Sequence, residues 1–301
     1  MNGPSPALLT RLAPTPSGYL HAGNLFNFLY NWLWARSNGG RVLLRIDDMD
    51  ASRMRPEYVA HIFQTLHYFG LHADLGPKTP ENLPRDWSQH RRMPLYEQQL
   101  QVLAEQKLVY ACACSRKDLA AHTIYPGHCR EKGLPLDTPG TAGRLRVPDE
   151  ARVTLHDRML GRVEQALAPI AGDFVIRRRD GLPAYAMCSV ADDLHFGVTH
   201  VARGEDLLPS TLCQLFLAEQ LGEKQFREIR FLHHPLLADE QGRKLSKTAG
   251  DGRLPDRQLF TRTPEAWFGQ FAYWCGWLQE ERPVPMAELL EMASTCSFLR
   301  P

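Results

Sequence analysis

Apolar residues in the first seventy positions follow two alternating patterns, which predict strands and helices in turn. Residues 8–13 and 41–46 are short apolar runs of the kind that form buried strands. After each run, apolar residues recur at helical spacing, over about 24–38 and 56–70. Strand, helix, strand, helix in this order predicts a parallel sheet with crossover helices.

The alternation resumes after one long interruption. A polar, proline-rich stretch at 73–93 predicts a loop, and apolar spacing at 95–108 predicts a helix. Residues 110–162 contain many turn formers and little helical periodicity, which indicates an insertion in an α/β domain. Three elements are predicted next: a strand at 173–178, a helix at 185–194 and a strand at 199–203.

The last third of the chain predicts two more helices and one strand. The first helix is expected to be capped near Ser210, and a strand-like run then reaches His234. The final helix is expected to begin at Thr263-Pro264-Glu265. This triplet supplies an N-cap, a proline at the first helical position and an acid in the first turn.

Composition limits the function less than the pattern does. The 301 residues carry a formal net charge of +1, so charge as a whole gives no support for nucleic-acid binding. No apolar run is long enough to span a bilayer, and the N-terminus lacks the features of a signal peptide. The cytoplasm is therefore the expected location.

The seven cysteines are an odd number, and a disulfide framework is not expected in a chain of this kind. Cys112, Cys114 and Cys129 crowd into 18 residues, a spacing that predicts a metal site. Three thiolates in a turn-rich insertion suit tetrahedral Zn²⁺. Ligand chemistry alone favours His122 or His128 as the fourth ligand. The other four are expected to be buried structural thiols, namely Cys188, Cys213, Cys275 and Cys296.

Two short motifs are candidates for binding a phosphate chain. His21, Gly23 and Asn24 lie where the first helix is predicted to begin, and helix starts offer N–H groups and a positive dipole end to anions. Lys244 and Lys247 flank Ser246 in a loop after a turn, and two lysines could hold a triphosphate as charge builds on its oxygens. Each motif alone has an ordinary structural explanation as well.

Together the two motifs resemble the two signatures of class I aminoacyl-tRNA synthetases. The string RLAPTPSGYLHAGN at 11–24 is similar to the glutamyl- and glutaminyl-tRNA synthetase branch. LRIDDMD at 44–50, DGLPAY at 180–185 and the segment at 192–206 are similar to it too. About 50 residues follow the lysine motif, too few for an anticodon-binding domain. The resemblance is therefore to the glutamyl-Q tRNA(Asp) synthetase family, the truncated branch.

This resemblance implies an α/β class I synthetase fold. A Rossmann-type catalytic domain with a parallel sheet is interrupted by a zinc-bearing insertion and followed by a small, mostly helical C-terminal region. The implied boundaries are 1–108 and 166–225 for the two halves of the catalytic domain, 109–165 for the insertion, which is similar to an acceptor-binding domain, and 226–301 for the C-terminal region with the lysine loop. No anticodon-binding domain is expected.

The resemblance also implies roles for individual residues. His21 and Asn24 would stabilise the α-phosphate of ATP, and Lys244 and Lys247 would hold the departing pyrophosphate. Gly23 and Ser246 would line the ATP site with Lys247. The implied glutamate-binding residues are Arg11, Ala13, Thr15, Asp47, Tyr185 and Arg203. Arg203 would pair with the side-chain carboxylate of glutamate, for which a guanidinium fork is suited; an ion pair with Glu205 or Asp206 is the structural alternative.

The family places a tyrosine in its metal site, and Tyr125 matches that position. The implied ligand set is Cys112, Cys114, Tyr125 and Cys129, which leaves His122 and His128 as the alternatives for the fourth ligand. A site with four protein ligands is closed, so the zinc is expected to be structural.

The implied reaction has ATP with Mg²⁺, L-glutamate and tRNA(Asp) carrying queuosine as its partners, in a monomeric enzyme. Glutamate would be activated without tRNA and transferred to the queuosine base in the anticodon. One alternative is conventional charging of a tRNA 3′ end, and another is a catalytically weak tRNA- or nucleotide-binding paralogue. The sequence departs from the family at Asp47, where glutamate is usual, and at Asn24, where many class I enzymes have histidine.

Overall fold

The computed structural model describes residues 7–237 and 258–300. The chain divides into two compact units. The first unit comprises Met1–Ser88, Val198–Glu205 and Phe231–Pro301. The second unit comprises Gln89–Gly197 and Asp206–Arg230.

The described strands and helices follow the predicted alternation. The strands are β1 (Leu9–Leu12), β2 (Arg41–Leu44), β3 (Val109–Cys112), β4 (Ala142–Leu145), β5 (Arg152–Asp157), β6 (Gly161–Ala166), β7 (Val175–Arg177), β8 (His200–Gly204) and β9 (Arg230–His234). The helices are α1 (Ala22–Ser37), α2 (Pro56–Tyr68), α3 (Met93–Glu105), α4 (Ala168–Ala171), α5 (Tyr185–His195), α6 (Leu208–Gln220), α7 (Pro264–Trp274) and α8 (Met286–Thr295). Short turns of 3₁₀ or π helix join several of them, among them Leu83–Trp87 and Gln89–Arg92.

In the first unit, β1 and β2 pair in parallel, with Leu9 opposite Arg41 and Leu12 opposite Leu44. This confirms the parallel pairing that the sequence pattern predicts. The connecting helix α1 has ten of its sixteen residues buried, because leucine and aromatic side chains occupy nearly its whole circumference. It packs against β1, β2, β8 and α8 and forms the centre of this unit's core.

In the second unit, β3, β4 and β7 form an antiparallel sheet, and β5 and β6 form a hairpin. Asp192 of α5 is completely buried and accepts hydrogen bonds from Gln89, Arg92 and Tyr96. Arg92 and Asp192 meet at 2.7 Å through a two-pronged ion pair. A buried carboxylate is tolerated only when its oxygens are satisfied in this way. The network therefore fixes α5, which begins with Tyr185.

Two sequence predictions were wrong in detail. The helix expected to be capped near Ser210 begins two residues earlier, and its N-cap, Leu207, has no side-chain cap hydrogen bond. The helix at Thr263 is not the last, because α8 follows it. The predicted cap at Thr263 is confirmed, since its side chain accepts a hydrogen bond from the Ala266 amide.

Candidate active site and metal centre

The N-terminus of α1 is closed by a reciprocal pair of hydrogen bonds between His21 and the first helical turn. The Gly23 amide donates to Nδ1 of His21 at 3.1 Å, and the His21 amide donates to Oδ1 of Asn24 at 3.1 Å. This is the geometry of a capping box, in which histidine and asparagine take the places usually held by Ser or Thr and Glu. The two candidate ATP-binding residues therefore also begin the helix.

The cap determines which side-chain atoms of His21 and Asn24 are donors. A neutral imidazole that accepts at Nδ1 carries its proton at Nε2, so the second ring nitrogen of His21 is a donor. Asn24 uses its carbonyl oxygen in the cap, and its other polar group, Nδ2, is also a donor. Two side-chain donors beside the positive end of the helix dipole form an arrangement suited to an anion.

Three of the predicted glutamate-binding residues lie close to Asp47 at the ends of β1 and β2, namely Arg11, Ala13 and Thr15. Beyond the two strands, the Asp47 amide donates to the carbonyl of Pro14 at 2.9 Å. Pro14 lies between Ala13, which is half-buried, and Thr15, which is exposed. Arg11 is buried within β1. The backbone thus places 11–15 and Asp47 at the same edge of the parallel pair.

Asp47 is engaged by Arg45, a residue that the sequence analysis did not select. Arg45 Nε lies 2.7 Å from Oδ1 and Arg45 Nη2 lies 3.0 Å from Oδ2 of Asp47. The arginine side chain is 1% exposed and the aspartate side chain 10%, so the pair is almost fully enclosed. A signal was present, because residues two apart on an extended chain point to the same side.

Arg203 lies on β8 and is buried, with 2% of its surface exposed. Its guanidinium carbon is 5.2 Å from the centroid of the Phe231 ring, within the range of a cation–π interaction. The segment before β8 is held to β1, because the Thr199 amide donates to the Leu9 carbonyl at 2.9 Å. Arg11 and Arg203 are therefore carried by neighbouring parts of the first unit.

The remaining predicted site residues fall elsewhere. Tyr185 is the first residue of α5 in the second unit and is 46% exposed. Lys244, Ser246 and Lys247 lie outside the described residues.

The three predicted thiol ligands meet at the end of β3. The sulfur atoms of Cys112, Cys114 and Cys129 all lie within 4.8 Å of one another, and those of Cys114 and Cys129 are 3.5 Å apart. A tetrahedral zinc site with Zn–S bonds of about 2.3 Å separates its sulfurs by about 3.8 Å. The donor set and its spacing therefore fit zinc.

The phenol of Tyr125 belongs to the same cluster. Its oxygen lies 3.4 Å from Cys112 Sγ and 3.9 Å from Cys114 Sγ, and it accepts a hydrogen bond from the Cys129 amide at 2.8 Å. The Arg144 guanidinium lies 3.7 Å above the centre of the tyrosine ring and holds it in place. Among the residues that the structure describes, the group of potential metal-ligating atoms at this site includes no histidine nitrogen.

The thiols of the cluster differ in their acidity. Burial raises the pKa of Cys114 to about 11, with the neighbouring thiols Cys129 and Cys112 adding to the shift. At Cys129 burial acts in the same direction but is outweighed by hydrogen bonds from the Ala113 amide and from its neighbours, which lower its pKa to about 7. A thiolate is therefore accessible near neutral pH, as metal binding requires.

The cysteines outside this cluster are only partly as expected. Cys188 and Cys213 are buried, whereas Cys275 and Cys296 are of intermediate exposure. The prediction of four buried thiols was wrong for the last two, which lie near the ends of α7 and α8.

Among the described residues, no helix combines the length and the apolar composition that crossing a bilayer requires.

Comparisons with known proteins identify the family of the chain. The family model "tRNA synthetases class I (E and Q), catalytic domain" matches residues 7–125 and 139–257. The glutamyl-Q tRNA(Asp) synthetase of Pseudomonas putida (strain W619) is 45% identical over 255 residues, 84% of this chain and 80% of its own length. That of Pseudomonas aeruginosa PAO1 is 43% identical over 249 residues, 82% of this chain and 80% of its own length.

Solved structures show the same fold at lower identity. The glutamate-tRNA synthetase of Elizabethkingia anophelis superposes with a TM-score of 0.76 at 24% identity, covering 97% of this chain and 67% of that one. The same conclusion follows from the matching family model and from the motifs at 11–24 and 44–50. This chain belongs to the glutamyl-Q tRNA(Asp) synthetase family, the glutamate-activating ligases with a class I synthetase catalytic domain.

Proposed function

We propose that this enzyme activates glutamate with ATP in the absence of tRNA and transfers the glutamyl group to queuosine in the anticodon of tRNA(Asp). The observation that carries the proposal is that the first unit combines two kinds of binding group. The donor-rich helix start at His21 suits a phosphate, and the buried arginines Arg11 and Arg203 suit a dicarboxylate. The acceptor is supported by the name that the relatives carry.

In the first step, a carboxylate oxygen of glutamate attacks the α-phosphorus of ATP. The bond to the β-phosphate oxygen breaks, and pyrophosphate leaves with its Mg²⁺. His21 Nε2 and Asn24 Nδ2 would donate to the α-phosphate oxygens as their charge increases. Lys244 and Lys247 are proposed to hold the pyrophosphate. Gly23 and Ser246 would line the ATP site.

The side-chain carboxylate of glutamate needs a positively charged partner, and its amino group needs a negatively charged one. Arg203 would pair with the side-chain carboxylate, because it is a buried guanidinium of fixed orientation. Asp47 would face the amino group while Arg45 holds it in position. The other residues proposed to line this site are Arg11, Ala13, Thr15 and Tyr185.

In the second step, a ring hydroxyl of queuosine attacks the acyl carbon of the adenylate. An ester bond forms, the acyl–phosphate bond breaks, AMP leaves and the proton of the hydroxyl passes to the solvent.

We also propose that Cys112, Cys114, Tyr125 and Cys129 hold a structural zinc ion. The zinc would stabilise the insertion at 109–165, between the catalytic halves at 1–108 and 166–225 and ahead of the C-terminal region at 226–301. When bound, it would supply folding free energy and take no part in the reaction.

The proposal is tested by two assays on zinc-loaded protein. Glutamate-dependent exchange between ATP and pyrophosphate without tRNA should be observed, and radioactive glutamate should be transferred to tRNA(Asp) from queuosine-producing cells. The matched control is tRNA(Asp) from cells that lack queuosine, which should accept none. Equal transfer to both tRNAs would indicate conventional charging of the 3′ end, and absence of exchange would contradict glutamate activation.

Asp47→Glu tests whether the shorter carboxylate weakens the site. The added methylene lets the carboxylate reach further while Arg45 still holds it, so we expect the KM for glutamate to fall by about three- to tenfold. The measurement is exchange at saturating ATP. A KM that stays the same or rises would show that the reach of the carboxylate does not limit glutamate binding. Absence of exchange in both the wild-type protein and Asp47→Glu would instead indicate a non-catalytic paralogue.

Gly23→Ala is expected to reduce the kcat of exchange by about 10- to 100-fold, because small misplacements of a catalytic group are costly. An added Cβ would lie 3.0 Å from Cε1 and 3.2 Å from Nδ1 of His21, so the imidazole must shift. The melting temperature should change little, since the higher helix propensity of alanine offsets a weakened cap at His21.

The matched control is Ala22→Gly, which alters the same helical turn without placing an atom against His21. It should cost stability and leave kcat within about twofold, since the imidazole keeps its place. Wild-type kcat in Gly23→Ala would contradict a role of the imidazole in the reaction.

A further inference from the structure

Three asparagines lie on one face of α1, at positions 24, 27 and 31, and each holds a different part of the first unit. Asn24 closes the helix start through the His21 amide. Asn27 Oδ1 lies 3.2 Å from Nε2 of His234, at the end of β9. Residues three and seven apart share a helix face, so the row runs two turns, about 10 Å, inward from the helix start.

Of the three asparagines, Asn31 uses both polar atoms of its side-chain amide to bind the backbone of a strand, β8. Its side chain is fully buried, and both ends of its amide bind the backbone of Ala202. Asn31 Nδ2 donates to the Ala202 carbonyl at 2.9 Å, and the Ala202 amide donates to Asn31 Oδ1 at 3.0 Å. The side-chain amide thus pairs with β8 as a neighbouring strand would, and it satisfies both backbone groups of one residue.

The same residue is also tied to β1. Thr10 Oγ1 donates to the backbone carbonyl of Asn31 at 3.0 Å, and Thr10 is fully buried. Thr10 is followed in the chain by Arg11, and Ala202 is followed by Arg203. One position on α1 therefore fixes the backbone beside both of the buried arginines that the proposed function assigns to glutamate.

We propose that Asn31 is a positioning residue for the glutamate site, which sets the place of Arg203 through Ala202. This rests on the proposed function, because Arg203 is there the partner of the substrate carboxylate. A buried amide is needed, because an apolar side chain would leave the Ala202 N–H and C=O groups unsatisfied. The ATP end of the helix depends on His21 and Asn24, seven and more residues away, so the effect should be on glutamate alone.

The test is Asn31→Asp. The carboxylate keeps the acceptor for the Ala202 amide but presents an oxygen to the carbonyls of Ala202 and Asn27, which the native Nδ2 approaches at 2.9 Å. We expect the KM for glutamate in pyrophosphate exchange to rise at least about tenfold, and the KM for ATP to stay within about twofold. Glutamate binding measured by calorimetry should weaken by the same factor.

Asn38→Ala is the matched control for stability. Asn38 lies just after the other end of α1, where Nδ2 donates to the carbonyls of Leu299 and Trp34 at 2.7 and 2.8 Å. Its removal should lower the melting temperature and leave the KM for glutamate unchanged. If Asn38→Ala raised that KM as much as Asn31→Asp, the effect would come from general destabilisation and the proposal would be wrong.

Thr10→Val provides an answer even if Asn31→Asp does not fold. Valine keeps the shape of threonine and removes only the bond to the Asn31 carbonyl, so we expect the same selective rise, of about threefold. Unchanged KM for glutamate in both variants, or in Thr10→Val when Asn31→Asp is unfolded, would overturn the proposal. Failure of the proposed function would look different, since wild-type protein would then show no glutamate-dependent exchange.

Discussion

Arg203→Lys is expected to lower kcat/KM for glutamate in pyrophosphate exchange by about 10²-fold or more. The native guanidinium is 2% exposed and lies 5.2 Å from the centre of the Phe231 ring. A buried arginine can meet a carboxylate with two parallel hydrogen bonds, whereas lysine offers a single ammonium on a flexible stem. Because lysine keeps the positive charge, the loss of kcat/KM would reflect the missing two-pronged hydrogen-bond geometry.

Arg36→Lys is the matched control for this substitution. Arg36 also belongs to the first unit and also lies over an aromatic ring, 5.4 Å from the centroid of Trp32, while it pairs with Asp74 at 2.9 Å. Its replacement should leave kcat/KM within about twofold, because a partly exposed ion pair contributes little. Should Arg203→Lys retain wild-type kcat/KM at a normal melting temperature, Arg203 would not bind the substrate carboxylate.

Cys129→Ser is expected to abolish zinc binding and to lower the melting temperature by about 10 °C, since several kcal/mol of stability are lost. Structural zinc contributes about 10–16 kcal/mol of apparent binding free energy in small domains, and here the three sulfurs and a phenol oxygen form one cluster. The measurement is metal content by atomic emission, together with thermal unfolding before and after treatment with a chelator.

Cys213→Ala serves as the control, because Cys213 is a buried thiol of the same unit outside the cluster. It should keep one zinc per chain. Tyr125→Phe should weaken zinc binding by about 10- to 100-fold, a typical cost for altering the surroundings of a metal, while His128→Ala should leave it unchanged. Wild-type protein free of zinc after growth with the metal would contradict the site. If His128→Ala weakened zinc binding and Tyr125→Phe did not, His128 would be the fourth ligand.

The alternation of strands and helices was predictable because periodicity reports which face of an element is buried. The helices α1 and α2, with limits within about two residues, and the parallel pairing of β1 with β2 follow from it. The hairpin of β5 and β6 was overlooked although β5 alternates exposed and buried residues along its whole length. Its buried positions hold two apolar residues, Val153 and Leu155, and then Asp157, and its partner β6 is mostly polar and exposed, so the apolar signal in the sequence is short.

The candidate site was predictable as a set of motifs and not as a set of contacts. Asn31 stands out as a polar residue within an apolar helix, but its partner, Ala202, is 171 positions away and no local rule selects it. Arg45 was within reach of sequence reasoning, because it shares a side of the chain with Asp47. Tyr125 came from family resemblance, because spacing and ligand chemistry favour histidine.

The capping box at His21 has a consequence for mutagenesis of this family. The imidazole and the Asn24 amide each use one polar atom to start the helix, and the proposed function assigns the other polar atom of each to the α-phosphate. Deleting either side chain therefore removes a helix cap, worth about 0.5–2 kcal/mol, together with a donor to the nucleotide. Alanine scanning mixes the two losses at these positions, whereas serine at position 21 could keep the cap and remove only the donor.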